Sequence, residues 1–187
     1  MNGYLTLVAT GAPLAARSSD LAAALVGDGW MVDVAITTAG RAWTDDQELE
    51  AAAGSPARTD QRRPGTEKSS RRSDVLVVCP ATFNTVGKIA VGIADTYVHS
   101  MLCEAIGARV PVLMVLMVPM VKESLWNHPA WNDHLTVLAD AGVWFTDPSK
   151  GEEKAAPVVS GSGDRLTVSF DPGWVVGSLR RRLLRRA

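Results

Sequence analysis

Residues 74–95, DVLVVCPATFNTVGKIAVGIAD, decide how this chain of 187 residues folds. Residues 75–79 form a continuous apolar run rich in β-branched side chains, which is typical of a strand buried on both faces of a parallel sheet. We predict that Pro80 ends this strand, that residues 81–85 form a short polar turn, and that a helix covers about residues 86–90. The segment therefore predicts one strand–turn–helix unit of an α/β fold.

Three polar side chains in the turn, Thr82, Asn84 and Thr85, come directly after the predicted strand. Open α/β sheets bind ligands at the carboxyl ends of their strands. The first N–H groups of the following helix are exposed there and can donate to an anion. The sequence therefore predicts a ligand site at these three side chains.

The rest of the chain repeats this alternation of strands and helices. We predict strands at residues 4–10, 31–36, 110–118, 143–146 and 165–170, and helices at residues 14–27, 45–53, 96–106, 131–141 and 174–187. The expected fold class is α/β, a Rossmann-like (flavodoxin-like) parallel sheet with helices on both faces, in three layers. The length fits a single domain over residues 1–187.

The composition excludes several classes of protein. The net charge of −1 argues against a general nucleic-acid-binding protein. The longest apolar run, residues 110–121, is shorter than the roughly 20 residues that span a bilayer, and the N-terminus has no basic region typical of a signal peptide. Cys79 and Cys103 lie in apolar segments, which indicates buried thiols in a reducing compartment. We therefore expect a cytoplasmic protein without a membrane or nucleic-acid partner, and we find no cluster of metal ligands.

Two segments lack a regular pattern. Residues 54–72 carry six basic and two acidic side chains, and we predict a long mobile loop. This loop either attracts an acidic substrate terminus or is an ordinary solvated loop. Residues 151–164 are rich in Gly and Ser, and a surface hairpin is one interpretation of them.

Residues 80–85, PATFNT, and residues 88–95, KIAVGIAD, resemble the PASANT segment and the run after it in the homo-oligomeric flavin-containing cysteine decarboxylases. This family includes phosphopantothenoylcysteine decarboxylase and the peptidyl-cysteine decarboxylases of lantibiotic pathways. Phe83 replaces a small residue of the motif. The alternative is an ordinary strand–helix turn of a nucleotide-binding fold.

The resemblance implies FMN bound between the subunits of a homo-trimer, which in the family often assembles further into a dodecamer. It implies that Asn84 holds the substrate carboxylate, or the adjacent amide, and takes part in catalysis. The residues implied to bind the cofactor lie in this motif and in the loops after the first two strands: Pro80, Ala81, Thr82, Thr85, Gly11, Ala12, Thr37 and Thr38. For the two loops, plain turn residues are the alternative. The family's flexible flap over the substrate corresponds to about residues 150–164.

Residues 119–126, PMVKESLW, resemble the family's PxMNxxMW substrate-recognition motif. The resemblance implies substrate contacts from Pro119, Met120, Lys122 and Trp126. Val121 and Leu125 replace methionines and keep an apolar wall. Lys122 replaces an asparagine and so exchanges an amide for a cation that cannot accept a hydrogen bond, which alters substrate recognition.

Two parts that are usual in the family are absent from the sequence. No histidine lies between residues 40 and 79, where the family has its catalytic histidine, and no cysteine lies in residues 147–187, where the phosphopantothenoylcysteine enzyme has a reducing cysteine. The general base is therefore missing from its usual place, reassigned, or unnecessary because the bound thiol is already acidic. His99 is either a packed or interface residue or a catalyst.

We therefore predict an FMN-dependent decarboxylase that acts on the C-terminal cysteine of a ribosomally made precursor peptide. Its product would be an enethiol, the precursor of an aminovinyl-cysteine ring. The alternatives are a phosphopantothenoylcysteine decarboxylase, a non-catalytic flavin-binding relative and a flavin prenyltransferase. The missing flap cysteine and Lys122 disfavour the first alternative, and the missing histidine favours the second.

Overall fold

The computed structural model describes residues 2–60, 72–108 and 114–185. Within them, five strands form one parallel sheet in the order β2-β1-β3-β4-β5, which is the flavodoxin-like order. The strands are β1 (Tyr4–Ala9), β2 (Met31–Ile36), β3 (Val75–Ala81), β4 (Met114–Pro119) and β5 (Trp144–Phe145). The order reverses direction at β1 and β3, and such a reversal opens a crevice at the carboxyl ends of the strands.

Helices cover both faces of this sheet, as predicted. They are α1 (Ser18–Gly27), α2 (Asp46–Ala53), α3 (Phe83–Ala90), α4 (Tyr97–Gly107), α5 (Glu123–Trp126), α6 (Trp131–Asp140), α7 (Gly163–Ser169) and α8 (Pro172–Leu184). Because strand side chains alternate between faces, Leu5 and Leu7 of β1 pack with α1 and α8, whereas Val8 packs with α3, α4 and α6. None of the described helices is long and apolar enough to cross a membrane.

The central strand is longer than the sequence predicts, and the helix after it begins earlier. β3 continues through Pro80 to Ala81, with a cis peptide bond between Cys79 and Pro80. Proline has no N–H to donate, so the pairing with β4 becomes irregular there, but the chain stays extended. Since α3 begins at Phe83, the predicted polar turn shrinks to Thr82 alone.

Residues 165–170 lie in helix α7 and its cap, so the predicted strand is wrong. Leu166 and Phe170 are buried, whereas Val168 is 82% exposed. Apolar residues at alternate positions suggested a strand. The burial follows the helical spacing of four residues instead, which places Leu166 and Phe170 on the same side of the chain.

The beginning of the predicted 54–72 loop is paired with the sheet. The Arg58 N–H donates to the Val34 carbonyl over 2.9 Å, and the Ile36 N–H donates to the Arg58 carbonyl over 2.8 Å. This pairing extends the β2 edge and carries Thr59 towards the carboxyl end of β2, so this part is not a solvated loop. Residues 61–71 of the loop, and residues 110–113 of the predicted fourth strand, lie outside the described residues.

The segment at residues 150–164 contacts the rest of the fold at two points, Val158 and Gly163. The Val158 N–H donates to the Val121 carbonyl over 2.9 Å, just beyond β4. Gly163 lies so close to Pro13 that an added Cβ would be 2.8 Å from the Pro13 Cγ. The segment therefore crosses from the end of β4 to the region after β1, and its action as a flexible flap stays a prediction.

Candidate functional site

Thr10 joins the two central strands at their carboxyl ends. Its hydroxyl donates to the Pro80 carbonyl over 2.8 Å and accepts the Thr82 N–H over 3.1 Å. The side chain is buried, with Thr10 only 1% exposed. The sequence placed Thr10 at the end of a strand without a function, and its one signal was a threonine directly after a buried apolar run. This residue therefore fixes the loop after β3 relative to the loop after β1.

The loops after β1 and β2 also meet at this edge. An added Cβ at Gly11 would lie 2.7 Å from the Ala39 Cβ, so only glycine fits between the two loops. The Thr37 N–H donates to the Ala9 carbonyl over 3.0 Å, and the Thr37 hydroxyl accepts the Gly40 N–H over 3.1 Å. The predicted cofactor residues Gly11 and Thr37 are therefore brought together. Their neighbours differ in exposure, because Ala12 is buried and Thr38 is exposed.

Helix α3 begins at the crevice with a threonine cap. The Thr82 hydroxyl accepts the Thr85 N–H over 3.3 Å and contacts the Thr85 hydroxyl over 3.1 Å. Thr85 is 2% exposed, so its side chain belongs to the cap and the core. Asn84, in contrast, is exposed in the first turn, where helix N–H groups lack partners within the helix. Of the polar side chains in the motif, Asn84 is thus the one best placed to meet a ligand.

A pocket of about 260 Å³ lies beside the end of β2. It is lined by four threonines, a tyrosine and two carboxylates: Thr37, Thr38, Thr59, Thr96, Tyr97, Asp60 and Asp95. Of these residues, the sequence had singled out Thr37 and Thr38 for the site. These side chains offer five hydroxyl groups, and none of them is positively charged.

Asp95 in this pocket is held by two neighbouring side chains. Lys88 Nζ lies 2.5 Å from Asp95 Oδ2, and His99 Nδ1 lies 2.9 Å from Asp95 Oδ1. The hydrogen bond from Lys88 keeps the pKa of the Asp95 carboxyl below its usual range. Burial lowers the pKa of His99, although the hydrogen bond to Asp95 opposes this shift. His99 is 3% exposed, so it lies in the molecule as a packed residue.

The 119–126 segment reaches the same edge from β4. The Met120 N–H donates to the Ala81 carbonyl over 2.9 Å, which places Pro119 and Met120 beside the end of β3. Lys122 is exposed. Trp126 is half-buried and packs on the fully buried Trp131, with ring centroids 5.3 Å apart.

Phe83, the departure from the family's small residue, also packs in this region. Its ring stacks on Trp131 at 5.2 Å and meets the His128 ring edge-on at 5.6 Å. Phe83 therefore joins α3 to α6 and is turned into the core. Apart from the substitution itself, no pattern in the sequence predicts this cluster.

The predicted residues thus lie along one edge but do not form a single compact cluster. Thr37 follows β2 and Lys122 follows β4, and three strand spacings separate these strands. At about 4.8 Å per spacing, strands β2 and β4 are roughly 14 Å apart. Asn84 follows β3, which lies between these two strands.

Neither of the two cysteine thiols, Cys79 and Cys103, is activated as a nucleophile. Burial raises the pKa of Cys79 far above its usual range, and burial also raises the pKa of Cys103. No group of three or more metal-ligating side chains occurs among the described residues.

The sequence matches the Flavoprotein family over residues 2–161. The chain belongs to the Flavoprotein family. A coenzyme A biosynthesis bifunctional protein CoaBC of Escherichia coli K12 is 27% identical over 171 residues, covering 88% of this chain and 41% of that protein. The CoaBC of Thermococcus kodakarensis is 36% identical over 84 residues, covering 45% of this chain and 20% of that protein. The flavoprotein chain thus spans less than half the length of these relatives.

Solved structures share the fold of this flavoprotein at low sequence identity. The FMN binding protein AtHal3 has a TM-score of 0.74 and 20% identity over all of both chains. The FMN-dependent cysteine decarboxylase TvaF from thioviridamide biosynthesis has a TM-score of 0.69 and 22% identity, covering 89% of this chain and 98% of that one. A dodecameric FMN-dependent UbiX-like decarboxylase from Escherichia coli O157:H7 has a TM-score of 0.70 and 18% identity, covering 95% and 93%. These likenesses confirm the α/β fold.

Proposed function

We propose that this flavoprotein binds FMN and decarboxylates the C-terminal cysteine of a ribosomally made precursor peptide, giving an enethiol for an aminovinyl-cysteine ring. The observation that carries the proposal is the cap at Thr82, fixed by Thr10, which presents the exposed Asn84 at the switch point of the sheet. Membership of the Flavoprotein family supports the cofactor. The fold shared with FMN-dependent cysteine decarboxylases supports the reaction class.

The residues present fit the polar chain of FMN. Gly11 lets the loop after β1 pack closely on the loop after β2, Thr38 and Thr82 offer hydroxyls, and α3 offers N–H groups. Asp60 and Asp95 face the pocket at Thr37, so that pocket suits the ribityl hydroxyls better than the phosphate. The phosphate is better served by the Gly11 loop and the start of α3. When bound, flavin supplies a two-electron oxidation of the substrate.

The chain itself would bind and orient the substrate. The Asn84 amide can donate to a carboxylate and accept from an N–H, which neither Asp nor Leu of similar size can do. Pro119 and Met120, fixed to β3 through the Ala81 carbonyl, would form the apolar wall, with Trp126 behind it. Lys122, exposed at the end of the edge, would attract an acidic group of the substrate.

The proposed assembly is a homo-trimer or a multiple of it, closed by cyclic symmetry. In the family that the sequence resembles, the flavin lies at a contact between subunits, so a single chain would build only part of the site. The dodecameric state named for one solved neighbour supports this proposal.

A phosphopantothenoylcysteine decarboxylase is the second candidate. The match to CoaBC over 88% of the chain favours it, and Lys122 could meet a phosphate as well as an acidic peptide. The absence of cysteine from residues 147–187 counts against it. A non-catalytic flavin-binding relative is the third candidate, favoured by the absence of histidine between residues 40 and 79.

The test begins with the purified protein, which should be yellow and should release FMN rather than FAD. It should then be incubated with peptides ending in cysteine and with phosphopantothenoylcysteine. Mass spectrometry should find the loss of carbon dioxide and two hydrogens from a peptide. Loss of carbon dioxide, with or without the two hydrogens, from phosphopantothenoylcysteine but from no peptide would select the second candidate. FMN binding without loss from any substrate would select the third.

A further inference from the structure

The chain has three histidines, and their surroundings differ. The ring of His99 is buried and bound to Asp95. The ring of His134 lies against Gly87 between α3 and α6, and its Nδ1 is buried without a hydrogen-bond partner among the described residues. Only His128 is exposed. It is therefore the histidine that can meet a substrate without a rearrangement of the core.

His128 lies against the first turn of α3. Its ring meets the Phe83 ring edge-on, with centroids 5.6 Å apart and an interplanar angle of 71°. Phe83 directly precedes Asn84, and Asn84 is exposed at the same end of the helix. The connection between α5 and α6 thus brings an exposed imidazole to the first turn of α3, the turn that also carries the proposed substrate-binding amide.

A backbone hydrogen bond selects the tautomer of His128. Its Nδ1 accepts the Ala130 N–H over 3.2 Å. A neutral imidazole that accepts at Nδ1 carries its proton on Nε2. His128 therefore presents an N–H donor to its surroundings, and in this tautomer Nε2 cannot take a proton from a substrate.

We infer that His128 is a substrate-binding residue whose Nε2–H donates to the carboxylate of the cysteine substrate, alongside Asn84. The inference rests on the proposed function. A carboxylate has two oxygens, and two neutral donors can hold both. Decarboxylation removes the negative charge from this group, so a cation would stabilise the ground state more than the transition state. Two neutral donors can orient the carboxylate while stabilising the ground state less than a cation would.

The test distinguishes the role of Nδ1 of His128, which accepts the Ala130 N–H, from the role of Nε2, which would donate to the substrate. In His128→Asn the amide oxygen can still accept the Ala130 N–H, but the Nε2 donor is lost. In His128→Gln the longer amide places a donor near the Nε2 position. His134→Asn is the matched control, since it removes an imidazole away from the exposed edge. Melting temperature and FMN absorbance check that each variant is folded and loaded.

The measured quantity is the affinity of the FMN-loaded protein for peptides that end in serine, which have no thiol and are not turned over. Each peptide is compared as the free acid and as the C-terminal amide. We expect His128→Asn to weaken binding of the acid by about 10- to 100-fold, the effect of one hydrogen bond to a charged group. Binding of the amide should change by less than about 2-fold, and His128→Gln should retain most of the affinity for the acid.

The outcomes distinguish this inference from the proposed function. If the wild type decarboxylates Cys-terminal peptides but His128→Asn weakens acid and amide equally or not at all, the inference is overturned and the function stands. A wild type that binds neither peptide and decarboxylates nothing overturns both. Nitrogen chemical shifts of the His128 ring provide an independent readout, and a proton on Nδ1 would also overturn the inference.

Discussion

Replacement of Thr10 by valine tests whether one buried hydroxyl holds the site together. Valine has almost the same shape but cannot donate to the Pro80 carbonyl or accept the Thr82 N–H. A buried polar group left without a partner costs about 1–3 kcal/mol. Because the Pro80 carbonyl is buried and Thr82 is half-buried, we expect a total loss of about 2–4 kcal/mol in the free energy of unfolding.

For a chain of this length each kcal/mol lowers the melting temperature by roughly 2–4 °C, so Thr10→Val should melt roughly 5–15 °C lower. FMN should also bind more weakly, because the cap at Thr82 is no longer fixed. Thr10→Ser is the matched control, since it keeps both hydrogen bonds and loses one methyl group, worth about 0.8 kcal/mol. Thermal melts and FMN titrations of both variants are the assay. If valine and serine behave alike, the reasoning about Thr10 is wrong.

Three further predictions concern catalysis, pH and assembly. Asn84→Asp should place a negative charge against the substrate carboxylate and lower decarboxylation by about 100-fold or more while FMN stays bound; unchanged turnover with a Cys-terminal peptide would contradict the role of Asn84. Because burial lowers the pKa of His99, the unfolded chain binds that proton more readily, so the free energy of unfolding should fall as the pH drops below the ordinary value of 6.5. Urea titrations of His99→Gln should show a flatter fall, and an equally steep one would count against this origin. Light scattering of the FMN-loaded protein should give the mass of a trimer or a multiple of it, and a flavin-loaded monomer would refute the shared site.

The sequence predicted the features that depend on local pattern. Continuous apolar runs indicated buried parallel strands, as the structure confirms, whereas the ligand site indicated by the polar residues after β3 stays a prediction. The predictions differ from the structure where local rules compete. Pro80 cannot donate a backbone hydrogen bond to a neighbouring strand, but the chain stays extended through it. The spacing of Leu166, Val168 and Phe170 is compatible with a strand or a helix, and only the burial of these residues distinguishes the two.

Features that depend on contacts between distant residues could not be predicted. Thr10 and Thr82 are 72 residues apart, and no local pattern in either segment predicts their hydrogen bond. The same holds for Arg58, whose backbone pairs with β2 at a position that looked like solvated loop. The tautomer of His128 is a local effect, but its importance depends on the ring contact with Phe83 across the fold.

The packing of α7 and α8 bears on how fragments of this protein would behave. The family match ends at residue 161, yet Leu166, Phe170, Val175 and Leu179 all lie in the core beyond that limit. Removing residues 162–185 would uncover the apolar side of α1 and free the region after β1 from its neighbour at Gly163. A fragment trimmed to the matched span should therefore aggregate on expression, and gene fusions or deletion libraries should keep both helices intact.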